Sequence, residues 1–182
     1  ILIFTMPIVF TNQFKSKEAV STDVVEEKFD YGKYSTIKLL HTDTGAVEEL
    51  DLDTYLYGVV SSEMPASFDL EALKAQAVVA RTYTIYQIKN GGKHENANVC
   101  DSALCCQAWI SKENRMSRWE ENLREEYWNK IVKAVNETKG KFVLYNGEPI
   151  NALFHSNSGG STELSINVWG GNFPYFKTVE SS

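Results

Sequence analysis

Pro65 constrains this chain more than any other residue, because it separates two stretches that each have helical periodicity. Upstream, Leu52, Tyr55, Leu56 and Val59 recur at three- and four-residue spacing, which draws one apolar face of a helix. Proline disfavours helical backbone at the residue before it, here Met64, so the first helix must stop close to Glu63. Asp69 has the chemistry of an N-cap for a second helix. Ala, Leu, Gln and Lys then dominate to about Lys89, where Asn90-Gly91-Gly92 supplies a stop. Two helices therefore meet at a sharp break, and one carboxylate, Glu63, stands at the break.

That placement bears on chemistry. The carbonyl end of a helix carries partial negative charge, which favours the protonated carboxyl that a general acid requires, and partial burial acts the same way. Lys74 and Arg81 are seven residues apart, two helical turns, so both fit on one face of the second helix. Facing a ligand, they would hold a carbonyl, hydroxyl or carboxylate; facing Glu63, they would keep it ionised. Taken alone, a glutamate at a helix end is better explained as a surface group paired with a base.

The rest of the chain reads as an α+β arrangement in the order hairpin, helices, loop, helix, hairpin. Ser35 to His41 and Ala46 to Leu52 flank Thr42-Asp43-Thr44-Gly45 as a hairpin. Ser111 to Arg118 reads as a polar connection. Ser117 to Glu120 fits a capping box opening a helix through Trp119, Leu123, Tyr127, Ile131 and Val135, which Gly140 ends. Phe142 to Tyr145 and Ile150 to Phe154, joined through Asn146-Gly147, form a second hairpin. Residues 1–34 read as an N-terminal arm whose apolar start, Ile1 to Phe10, is either a buried strand or the remnant of a membrane anchor, and residues 35–182 read as the working domain. An apolar fraction of 43% supports a substantial core. A net charge of −6 argues against a sequence-independent nucleic-acid partner, which would need a basic patch. It does not argue against a glycan, which aromatic faces and hydrogen bonds recognise.

Three cysteines, Cys100, Cys105 and Cys106, follow His94 closely. His94, Cys100 and Cys106 suit a zinc site completed by water or a fourth side chain. A Cys100–Cys106 disulfide and free thiols are the alternatives. The strain of bridging adjacent cysteines makes Cys105 the odd one out in the disulfide reading. A Cys–His nucleophilic pair with His155 has no support from the placement of these thiols. His155, Ser156 and Ser158 instead suit the lining of a cleft, with Trp169 and Tyr175 as aromatic walls.

The segment from Ser61 to Tyr83, SSEMPASFDLEALKAQAVVARTY, closely resembles the core motif of the stage II sporulation protein D family. Val99 to Gln107, Leu153 to Thr162 and Val168 to Tyr175 resemble further motifs of that family in the same order, so the likeness runs from about Leu50 to Val179. The resemblance implies a lytic transglycosylase that cuts peptidoglycan glycan strands, with Glu63 matching the catalytic glutamate and Lys74 and Arg81 the basic residues of its motif. It implies a C-x5-C-Q pattern on Cys100, Cys106 and Gln107, to which Cys105 and His94 add candidate ligands. It makes Gln107, His155, Ser156, Ser158 and Tyr175, together with Lys74 and Arg81, the expected substrate contacts. It further implies an N-terminal membrane anchor with the domain outside the cytoplasm, peptide-stripped glycan as substrate, and work beside stage II sporulation protein P and the membrane protein M of the same stage. Relatives named amidase enhancers give the competing expectation of a glycan-binding scaffold that stimulates an amidase without cutting. A third expectation treats the Cys/His loop as a redox or metal sensor.

Overall fold

The computed structural model describes residues 31–180, and the expectations for Ile1 to Phe10 and most of the arm lie outside them. The class is α+β. A single 3-10 turn, Tyr31–Tyr34, leads into β1 (Thr36–Leu40), which pairs antiparallel with β2 (Val47–Asp51). The turn between them uses Gly45 at φ 73°, as the expected hairpin requires. A short strand, β3 (Val99–Cys100), adds parallel to β1, giving the order β2-β1-β3.

The helix pair follows the sequence closely. Helix α1 (Leu52–Glu63) is capped by Asp51, whose side chain accepts from the Asp53 and Thr54 amides at 2.9 and 3.1 Å. It ends where Pro65 dictates, with Met64 extended at φ −135°, ψ 137°. Helix α2 (Leu70–Lys89) starts after Asp69, although that side chain makes no capping bond, and stops at Asn90 before two glycines of positive φ.

Three later expectations need correction. The stretch expected as a polar connection contains a short helix, α3 (Lys112–Ser117), because Ser111 accepts from the Asn114 amide at 3.2 Å and caps it. Ser117 therefore closes that helix and opens no capping box. The long helix α4 (Arg124–Glu137) begins seven residues later, after a 3-10 turn at Glu121–Leu123. The Asn146-Gly147 turn is present with both residues at positive φ, but its strands, β4 (Leu144–Tyr145) and β5 (Glu148–Pro149), are two residues each. Residues beyond Pro149 are irregular until a one-turn helix, α5 (Ser165–Trp169).

Helices α1, α2 and α4 pack against one another, and α1 also packs against the inner face of β1. Their buried side chains include Tyr55, Leu56 and Val59 from α1, Leu73, Ala77 and Ile85 from α2, Ile131 and Val135 from α4, and Ile37 and Leu39 from β1. Burial of this kind stabilises by roughly 25 cal/mol per Å² of apolar surface removed from water, and it fixes the end of α1 that carries Glu63. Among the described residues no helix is long and apolar enough to cross a membrane.

Candidate functional site

Glu63 occupies the last position of α1 and is half-buried. Its Oε1 accepts a hydrogen bond from the Ala108 amide at 2.7 Å, while Oε2 has no partner among the described residues. One carboxylate oxygen is thus anchored by the fold and the other is left unpaired by the described residues. The anchoring loop crosses α1 at Gly58. A Cβ there would lie 2.2 Å from Trp109 Nε1 and 2.7 Å from the Ile110 carbonyl oxygen. A Gly58→Ala change normally gains about 1 kcal/mol in helix propensity, but overpacking costs about 1–3 kcal/mol and here meets backbone as well as a ring. Gly58→Ala is therefore expected to destabilise the domain in chemical denaturation, and a gain in stability would show that the loop yields freely.

The same loop carries two of the thiols. All three cysteines are free, and the ligand atoms of His94, Cys100, Cys105 and Cys106 lie within 4.8 Å of one another. His94 Nε2 is 3.7 Å from Cys105 Sγ and 3.8 Å from Cys106 Sγ, and the two sulfurs are 3.8 Å apart. A tetrahedral zinc with Zn–S of about 2.3 Å places its sulfurs about 3.8 Å apart, so these residues fit such an ion. Cys105, the odd one out in the disulfide reading, is the fourth ligand-bearing side chain of this cluster. Without a cation, burial pushes the Cys106 thiol up to about 12 and raises Cys100 as well. Thiolate ligation would have to reverse both shifts and would release protons.

The remaining expected contacts fall into three groups. Arg81 is fully buried, and its guanidinium donates to the Val135 and Thr138 carbonyls at 3.0 and 2.8 Å and pairs with Asp53 at 3.4 Å. Gln107 is 1% exposed, with Nε2 donating to Thr84 Oγ1 at 3.2 Å. Both expectations of substrate contact are corrected by this burial: neither side chain presents surface to a ligand. Lys74 is partly exposed, but its ammonium is held between Glu71 and Glu137, at 2.7 Å from each. It therefore pairs with surface carboxylates, one of them on α4. His155 and Ser156 are exposed and Ser158 is half-buried on the irregular segment after β5. Tyr175 joins that segment, its hydroxyl accepting from the Asn151 amide at 3.1 Å and its ring stacking among Tyr145, Phe173 and Phe176. The Trp169 side chain lies outside the described residues.

Sequence reasoning missed His41. Its Nδ1 lies 3.3 Å from Asp101 Oδ2, its Nε2 lies 3.0 Å from Glu48 Oε2, and its ring sits against Trp109. Burial alone would lower its pKa, but the hydrogen bonds and charges of Glu48 and Asp101 outweigh burial and hold it above 6.5. A folded pKa above the unfolded one gives a contribution that is complete below about pH 6.5 and lost as pH rises through the folded value. The stability advantage of the wild type over His41→Asn is expected to shrink as pH rises above that point, read from urea unfolding. A difference that grows with pH would contradict the assignment.

The fold and the site together define an α+β domain with one anchored glutamate beside a thiol–imidazole cluster. Residues 41–145 of this domain match the SpoIID family, described as stage II sporulation protein. The chain belongs to that family. It is 37% identical over 169 residues to stage II sporulation protein D of Bacillus subtilis (strain 168), covering 91% of this chain and 49% of that relative. It is 34% identical over 148 residues to the protein of the same name from Bacillus amyloliquefaciens, covering 80% of this chain and 43% of the relative. The amidase enhancer of Bacillus subtilis (strain 168) is 39% identical over 120 residues, which is 66% of this chain and 14% of that protein. The chain thus spans about half the length, or less, of these relatives.

Proposed function

We propose that this domain is a lytic transglycosylase acting on peptidoglycan glycan strands outside the cytoplasm during sporulation. The observation that carries this reading is Glu63, half-buried at a helix end, with Oε1 fixed by the Ala108 amide and Oε2 without a partner among the described residues. A hydrolase of the usual kind needs two carboxylates, one as acid and one as base or nucleophile. A transglycosylase can use one group twice. Protonated Glu63 donates to the glycosidic oxygen as the C1–O bond of N-acetylmuramic acid breaks. The resulting carboxylate then takes the proton of the 6-hydroxyl as its oxygen bonds to C1, leaving a 1,6-anhydro end and restoring the acid. No water enters the products.

Substrate contacts then fall to the exposed His155 and Ser156, with Ser158 and Tyr175 at their edge. Lys74 can reach a substrate only by releasing Glu71 or Glu137. Zinc bound by His94, Cys100, Cys105 and Cys106 would have four protein ligands and no open position. That is the arrangement of a structural ion, so the chemistry is left to Glu63. A cobalt titration is expected to end at one equivalent, with thiolate charge-transfer absorption that weakens in Cys105→Ser. Peptide-stripped strands are the proposed substrate, and stage II sporulation proteins P and M the proposed partners, on the strength of the family likeness.

The test is the mass of the products from intact and peptide-free glycan strands. Fragments lighter by one water than hydrolysis products support the reading, and hydrolytic fragments would demand a second carboxylate. The identity to an amidase enhancer favours one alternative, a scaffold that binds glycan and stimulates an amidase. Binding without cleavage of either substrate would establish that instead.

A further inference from the structure

Residues Cys105 to Ala108 connect three environments through consecutive side chains or amides. Cys105 and Cys106 turn their sulfurs to the His94 cluster, and their amides donate to the Ser102 carbonyl at 3.1 and 2.8 Å. Gln107 enters the core between α1 and α2, where Nε2 donates to Thr84 Oγ1 at 3.2 Å and lies 3.5 Å from the Tyr55 hydroxyl. Ala108 gives its amide to Glu63, and the next amide, Trp109, donates to the Asp101 carbonyl at 3.3 Å. Neighbouring Cα atoms are about 3.8 Å apart, so the backbone that the buried Gln107 side chain pins is one residue from the Ala108 amide.

Stability alone does not account for Gln107. Its Oε1 is buried without a hydrogen-bond partner among the described residues, an arrangement that costs free energy. An apolar side chain of the same length would remove that cost. What the amide adds is direction: its bonds to Thr84 and Tyr55 set the rotation of the loop about α1 and therefore where the Ala108 N–H points.

We infer that Gln107 is a positioning residue for Glu63, acting through the Ala108 amide and touching no substrate. The inference deepens the transglycosylase reading and rests on it for its effect on rate. The Cys/His cluster lies immediately before Gln107 in the chain and holds the other end of the same short segment. With Oε1 held at a fixed point, Oε2 keeps one bearing through both proton transfers. A misplacement of about 1 Å in such a group costs on the order of 100-fold in rate.

The test uses Gln107→Met in the full chain supplied with one equivalent of zinc, with Thr84→Val as a second variant that removes the acceptor from the other side. Four quantities are compared with the wild type: thermal midpoint, KM, kcat and the 15N–1H resonance of the Ala108 amide. The expected result is an unchanged midpoint and KM, a kcat lower by roughly 10- to 100-fold, and an Ala108 proton moved upfield as its bond to the carboxylate weakens. Thr84→Val is expected to move the resonance the same way by less. An Ala108 resonance unmoved in both variants overturns the inference, as does an unchanged kcat in a wild-type enzyme shown to be active. If the wild type cleaves no glycan, the transglycosylase reading fails by itself, and the Ala108 resonance still decides whether Gln107 positions Glu63.

Discussion

Glu63→Gln is expected to reduce glycan cleavage by about 10²–10⁴-fold, the usual worth of a positioned acid–base group, while leaving the fold and glycan binding intact. The geometry explains why both halves of that result should appear together. Glutamine has the size of glutamate, and its carbonyl oxygen can still accept from the Ala108 amide, which now contributes the 2.7 Å bond to Oε1. Its amide nitrogen then occupies the position of Oε2, where it can neither protonate a leaving oxygen nor take a proton from the 6-hydroxyl. Both steps of the proposed reaction lose the same group. Glu63→Asp should be nearly as inactive, because a carboxylate one methylene shorter cannot keep the Ala108 bond and reach the glycosidic oxygen at once. Cleavage products of unchanged mass and rate from Glu63→Gln would remove Glu63 from the chemistry, whatever its place in the fold.

Features set by local backbone preference were legible before the structure. Pro65 forces Met64 to be extended, Asn146-Gly147 accepts positive φ, and Asn90-Gly91-Gly92 ends α2, so the C-terminal ends of α1 and α2 and the Asn146-Gly147 turn stand where the sequence puts them. Features set by tertiary contact were not. Strand β3 is two residues long and pairs with a strand some 60 positions earlier, so it leaves no periodic trace. Ser111 and Ser117 both stand where a cap is plausible, and only the bond to the Asn114 amide tells which one begins a helix. Cys105 and Cys106 look redundant as neighbours, because adjacent side chains diverge in a regular strand; in this irregular loop they converge on one imidazole. The residue types of Arg81 and Gln107 suggest a polar surface, and their motif positions suggest a ligand. Their burial comes from α4 and from the 105–108 loop closing over them, which no local pattern encodes.

Arg81→Met is expected to cost the domain about 3–5 kcal/mol, the usual result of removing one partner from a buried ion pair, and to lower Tm by roughly 10 °C in a protein of this size. The carbonyls at the end of α4 accept from local donors, Val135 from the Thr138 amide and hydroxyl and Thr138 from the Lys141 amide, and Arg81 adds a charged donor from α2. It donates to the carbonyls of Val135 and Thr138 and makes a longer contact with that of Lys141 at 3.4 Å. The same guanidinium faces Asp53 in α1, so one planar group joins the three helices that form the core. Methionine fills the space but removes the charged donor that ties those carbonyls to α2. Lys139, 3.0 Å from Asp53 Oδ2, keeps that carboxylate from being stranded, which sets the cost within the range rather than beyond it. Lysine cannot substitute, because one ammonium cannot serve several acceptors in the plane of a guanidinium fork. Lys74→Met provides the contrast: its pairs with Glu71 and Glu137 lie at the surface, where such pairs add little, and no measurable change in Tm is expected. A substrate-binding Arg81 would behave in the opposite way, with Tm unchanged and KM raised. Calorimetry of Arg81→Met beside its KM for peptide-free glycan therefore separates a helix clamp from a ligand contact.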